Sequence, residues 1–140
     1  MTMASPTSLS IFDISGKAMS AQMVRLNATA SNLANAGTVS GTEAGAYRAR
    51  RPVFAAELDA ASDARASVSV ERVVTTDQTP TKRLEPGHPL ADAEGYVWEA
   101  AVDSNAEMVD MMEAARQYQN NVEVLRTAKS LMMSTLRLGQ

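Results

Sequence analysis

The side chains able to do chemistry are few. His88 is the only histidine and cysteine is absent. With Asp92 and Glu94 close by, His88 could be drawn as a general base oriented by a carboxylate. The structural alternative is an imidazole that hydrogen-bonds backbone in a rigid turn. One histidine and no thiolate leave a zinc site without its usual ligands. Ser15-Gly16-Lys17 resembles the tail of a phosphate loop, but the upstream glycine and the preceding strand are missing. Glu107, Asp110 and Glu113 recur every third residue, as expected of a solvated helix face near a helix N-terminus, where carboxylates favour the dipole. None of these sets makes an active site, and the sequence calls for no metal or cofactor.

The strongest signal is instead periodic. From Ser104 to Leu138, Met108, Met111, Ala115, Tyr118, Val122, Leu125, Met132 and Leu136 follow alternating steps of three and four, the seam of a coiled coil. Lys129 alone breaks the series, at a position where one polar residue can fix register. Ser104 and Glu107 read as a capping box, and Gly139 as a left-handed C-terminal cap. A helix of about 35 residues would be about 50 Å long and needs a partner along most of its length.

A second helical pattern stands at the other end. Phe12, Gly16, Met19, Met23, Leu26, Ala30 and Leu33 share one face, and Leu9 extends it back one turn behind a leader, Met1–Thr7. Ser10 and Asp13 can cap its start, and the cluster Asn32, Asn35 and Gly37 ends it. Gly16 implies close approach by a neighbouring helix. Asn32 and Asn35 either cap the helix end or hydrogen-bond exposed backbone where helices of different subunits meet.

Between these helices the chain changes character. Thr38–Ala46 reads as a glycine-rich loop, Tyr47–Phe54 as an extended segment demoted towards a sheet edge by Pro52, and Leu58–Ala66 as a flexible connector. Val68, Val70, Val73 and Thr75 read as a strand with an irregularity near Arg72. Leu84–Leu90 is a proline-rigid turn, and Tyr96-Val97-Trp98 enters a last short strand. The expected fold is therefore mainly α with a small β insert. Two long antiparallel heptad helices, residues 8–36 and 104–138, form one unit, and residues 37–103 form the β-rich insert.

Composition narrows the function classes. A net charge of −3 argues against nucleic acid as the main partner. Nine methionines against one tryptophan, three tyrosines and two phenylalanines make an adaptable core, or an adaptable surface for unlike neighbours. The N-terminus lacks the cationic and apolar regions of a secretory signal, and no apolar run approaches a membrane span. A chain that left the cytoplasm would do so uncleaved, and the lack of cysteine would suit an oxidising compartment.

Several segments together carry a resemblance. Ala30-Ser31-Asn32-Leu33-Ala34-Asn35-Ala36 is similar to the N-terminal signature of bacterial flagellar rod and hook proteins. Tyr47-Arg48-Ala49, Pro86-Gly87-His88-Pro89-Leu90-Ala91-Asp92, Glu107-Met108-Val109-Asp110-Met111 and Arg116-Gln117-Tyr118-Gln119 resemble the proximal rod proteins of the basal body, the rod protein C type. The resemblance implies an axial structural protein with terminal helices that order on assembly into the inner layer of a tube. It implies export through the flagellar type III channel without signal cleavage, and a periplasmic location. Its partners would be copies of itself, other rod proteins and an export-gate adaptor, and its role would be to pass torque from motor to hook. The expected packing and subunit-interface residues are Phe12, Met19, Met23, Leu26, Asn32, Leu33, Asn35, Met108, Met111, Ala115, Tyr118, Val122, Leu125, Met132 and Leu136. Two other classes stay open: a self-contained coiled-coil adaptor with one helical partner, and an enzyme built on His88 and Asp92.

Overall fold

A computed structural model describes residues 10–59 and 62–139, with side chains omitted at 59 and 62–65. The expected leader and Leu9 lie outside the described residues. In chain order the elements are α1 (Ile11–Asn35), β1 (Val39–Ser40), β2 (Arg50–Asp59), β3 (Ser62–Thr75), β4 (Thr81–Leu84), β5 (Tyr96–Glu99) and α2 (Ser104–Leu138).

Helix α1 starts where Ser10 and Asp13 satisfy each other's amides. Ser10 Oγ accepts from the Asp13 amide at 3.2 Å and Asp13 Oδ2 from the Ser10 amide at 3.0 Å. The Ser10 hydroxyl also donates to Asp13 Oδ2 at 2.6 Å, and that bond first, with the Ser10 amide second, holds the Asp13 carboxyl below its ordinary pKa. Helix α2 is capped differently from the expected Ser104–Glu107 box. Asp103 is the N-cap, with Oδ1 accepting from the Asn105 and Ala106 amides at 2.9 and 3.2 Å. That shift of one residue puts Glu107 a position too far along to reach back, and its side chain turns inward. Gly139 has φ −90°, so the expected left-handed cap is absent too.

The expectation of a mainly α, coiled-coil-like fold is corrected on two counts. First, the middle of the chain is far more ordered in strands than expected. β2 and β3, of 10 and 14 residues, pair antiparallel and take in residues 58–59 and 62–66 of the supposed connector at Leu58–Ala66, whose residues 60 and 61 lie outside the described ones. A register shift opposite Val53 and Phe54 leaves Glu71 as the extra residue beside Arg72, and Pro52 pairs with Val73 at the base of the hairpin. A second antiparallel sheet has the order β1-β5-β4, so the loop expected at Thr38–Ala46 contributes an edge strand. Backbone bonds knit it to the segment before β2: the Ala100 amide donates to Thr38 at 3.0 Å and the Ala101 amide to Tyr47 at 2.8 Å. Val97 and the small residues Ala46, Ala49, Ala100 and Ala101 are buried there.

Second, the heptad seam is not what the helices bury. Their buried residues are Ser15, Ala21, Thr29 and Asn32 on α1 and Glu107 and Ala114 on α2. α1 packs against α2 and also against both strands of the hairpin. A helix wedged between two neighbours buries two faces, and small or hydrogen-bonded side chains allow the close approach. A single 3.5-residue seam cannot describe that arrangement. No helix of the same subunit approaches Gly16: a Cβ there would meet nothing within 4 Å.

Candidate assembly site

Where α1, α2 and the base of the hairpin meet, the chain builds a polar joint around Asn32, which is fully buried. Its amide completes a hydrogen-bonded pair with the backbone of Arg50: Nδ2 donates to the Arg50 carbonyl at 2.9 Å, and Oδ1 accepts from the Arg50 amide at 2.8 Å. In effect the side chain serves as a missing strand partner at the start of β2. Nδ2 also donates to Glu107 Oε2 at 2.9 Å, and Tyr47 Oη donates to Oδ1 at 3.0 Å. Every polar atom of the amide is used. Asn35 does something simpler, donating to the Ser31 carbonyl at 2.8 Å as a helix-end cap.

Glu107 is 1% exposed, so its charge needs close partners. Arg51 Nη2 supplies one at 2.6 Å, opposite the Asn32 amide. Arg51 also pairs with Asp110, and Arg25 joins Asp110 at 3.1 Å and Glu113 at 3.4 Å. The acid row expected to be a solvated face is therefore an inward ladder that ties α2 to α1 and β2, and only Glu113 is mostly in water. The signal was in the sequence as two complementary runs, Arg48–Arg51 and Glu107–Glu113. Pairing them needed knowledge that the chain folds one onto the other. Beside the joint lies an open cleft of about 390 Å³, lined by Arg25, Arg50, Arg51 and Asp110 with Pro52 and Phe54 at one side. Farther along α1, Lys17 reaches the hairpin through Glu57 at 2.6 Å, which lowers the Glu57 pKa.

The expected interface residues fall into three groups. Asn32 is buried. Met19, Leu26, Leu33, Asn35, Met111, Ala115, Tyr118, Val122 and Leu125 are half-buried. Phe12, Met23, Met108, Met132 and Leu136 are exposed, from 39% at Phe12 to 61% at Leu136. Sequence periodicity singled out only Met132 and Leu136 from the exposed apolar set at the end of α2. Leu131, Met132, Met133, Leu136 and Leu138, each at least 47% exposed, cover more than half the circumference of the end of α2 at ~3.6 residues per turn. Every described residue from Lys129 onward is exposed, Lys129 included, so it faces no seam within the subunit. An apolar groove of about 290 Å³ between Ile11 and the α2 residues Val124 and Leu131 continues this surface.

The turn that carried the enzyme reading is occupied with its own backbone. His88 Nδ1 accepts from the Leu90 amide at 3.1 Å. Asp92 Oδ1 accepts from the amides of Tyr96 at 2.8 Å and Glu94 at 3.1 Å. The Tyr96 bond above all, with help from Lys82, keeps the Asp92 carboxyl below its ordinary pKa. The pair that a general base would need is not formed.

Comparison with known proteins decides among the open classes. Residues 12–40 match the family model described as "Flagella basal body rod protein", and residues 93–138 match "Flagellar basal body rod FlgEFG protein C-terminal". The flagellar basal-body rod protein FlgC of Salmonella typhimurium is 52% identical over 134 residues, covering 94% of this chain and 98% of that one. This chain belongs to the FlgC family of flagellar basal-body rod proteins. Its work is that of a structural rod subunit. FlgC of Escherichia coli O157:H7 is 52% identical over 133 residues, and that of Yersinia enterocolitica 47% over 132, with the same shares covered. The matched family segments hold the two partners of the buried joint, Asn32 in the first and Glu107 in the second. Among the described residues no helix is long and apolar enough to cross a membrane.

Proposed function

We propose that this rod-family chain polymerises through its terminal segments, residues 8–36 and 104–138, while the insert 37–103 shapes the outer part of the subunit. The observation that carries this reading is the bare end of α2. A helix apolar around most of its circumference is stable in water only when neighbours enclose it. One partner helix would cover a single stripe, so the end of α2 is suited to several neighbouring subunits at once. The exposed Phe12, Met23, Met108, Met132 and Leu136 join that contact surface, and half-buried positions such as Tyr118 and Leu125 serve both the subunit and its neighbours. Other rod components meet the same surface, with an export-gate adaptor at the base of the rod. The subunit reaches the periplasm by the flagellar export route without cleavage of a signal peptide, performs no catalysis, and passes torque along the shaft.

The test is Leu136→Asp in a strain lacking its own rod subunit of this family. Because Leu136 is exposed, the variant should keep the far-UV spectrum and export of the wild-type chain. It should be missing from purified basal bodies, and the cells should not swim. Normal swimming with the variant in place would refute the role given to α2.

A further inference from the structure

The polar joint leaves one cation over. Glu107, Asp110 and Glu113 are all engaged by Arg51 and Arg25, whereas Arg50 has no carboxylate partner among the described residues. Its place is nonetheless fixed. Asn32 holds both its amide and its carbonyl, and its guanidinium lies 5.8 Å from the centre of the Tyr47 ring. A clamped backbone and an aromatic support keep an unpaired guanidinium at the cleft beside Arg25 and Arg51. The cleft's one acid, Asp110, already serves both of those arginines.

We infer that this cleft receives an acidic side chain from a neighbouring copy of the chain, with Arg50 as its main ligand. A guanidinium fork matches a carboxylate with two parallel hydrogen bonds. Pro52 and Phe54 also line the cleft and offer apolar surface for the stem of the incoming side chain. The complement is present in the same sequence. Glu43, Asp77 and Glu94 are exposed and have no cationic partner among the described residues. In a polymer of one sequence, an unmatched cation on one face and unmatched acids on another can close on each other. The inference rests on the rod reading and adds to it a polar contact outside the apolar helix surface.

The experiment begins with Arg50→Glu in the full chain, expressed in a strain lacking its own subunit. The substitution leaves the Asn32–backbone bonds in place, so the isolated variant should keep the wild-type far-UV spectrum and still be exported. Swimming should be lost, because the neighbour's acid would then face a like charge. One of the reversals Glu43→Arg, Asp77→Arg or Glu94→Arg, combined with Arg50→Glu, should restore it. Since the chain has no cysteine of its own, Arg50→Cys combined with a cysteine at the restoring acid should let a short bismaleimide, which adds to both thiols and spans the reach of the lost side chains, link neighbouring copies in purified basal bodies. Restoration together with that cross-link carries the inference. Wild-type swimming by Arg50→Glu, or a loss that none of the three reversals restores, overturns it. If instead the unaltered chain is absent from purified basal bodies, the rod reading itself fails, so the two failures are told apart.

Discussion

Replacing Asn32 with alanine should be among the most damaging single truncations in the molecule. The change removes four hydrogen bonds from a fully buried side chain. Two partners keep other support: Tyr47 Oη remains near Ser31 Oγ at 3.2 Å, and Glu107 retains Arg51. The Arg50 amide and carbonyl lose the side-chain partner that holds both of them. Each unsatisfied buried group costs about 1–3 kcal/mol, and the lost bond to the Glu107 carboxylate about 1.5–3. Allowing for a water molecule entering the space, the expected loss is about 3–5 kcal/mol, a large share of a typical domain's ~5–15. The assay is urea unfolding of the purified full chain by far-UV circular dichroism, where the midpoint should fall with an unchanged slope. Asn32→Asp should be worse than alanine, since it removes the donor to Arg50 and sets a second carboxylate against Glu107. A loss under about 1 kcal/mol for alanine, or an aspartate variant as stable as wild type, would refute the reasoning.

Gly95 should tolerate no side chain. Its φ is +86° and a Cβ would lie 3.2 Å from Pro86, so Gly95→Ala should cost about 1–3 kcal/mol in the same unfolding assay. Gly16 is the opposite case. With open space around it, Gly16→Ala should stabilise the free chain by roughly 0.5–1 kcal/mol through helix propensity. If that stabilised variant fails to swim, the open space belongs to a neighbouring helix in the rod. The pH dependence should centre on the carboxylates that the fold holds ionised. Asp92 has its pKa lowered from 3.8, so it binds fewer protons folded than unfolded. Its contribution is complete above 3.8 and is lost as pH falls through the lower folded value. Asp92→Asn should therefore flatten the decline of the thermal midpoint below pH 3.8, which melting curves on either side of that value would test.

Much of the local structure was legible because it depends on neighbours in the chain. Ser10 and Asp13 cap α1 as their spacing requires, the strand irregularity falls beside Arg72, and the Pro86–Pro89 segment makes its turn. What failed was inference about burial. Heptad spacing on α1 and α2 was read as a seam, yet the fully buried helical residues are Ser15, Ala21, Thr29, Asn32, Glu107 and Ala114. The low-apolar stretch Leu58–Ala66 was read as a flexible connector, although cross-strand hydrogen bonds need no apolar side chains to draw its described residues, 58–59 and 62–66, into paired strands.

The sequence by itself determined how α1 is capped, that no cysteine thiolate is present, and which family the motifs resemble. Those are matters of residue type and short-range spacing, in which each residue's partners are a few positions away. Only the tertiary structure decided that Glu107 lies inside rather than in solvent, and that Arg51 has carboxylate partners while Arg50 has none among the described residues. Alternation along β2 distinguishes the two arginines, but the partners of Arg51 come from α2, more than fifty residues on. A charge acquires its role from what the fold sets against it, and that pairing depends on how α1, α2 and the hairpin close around Asn32.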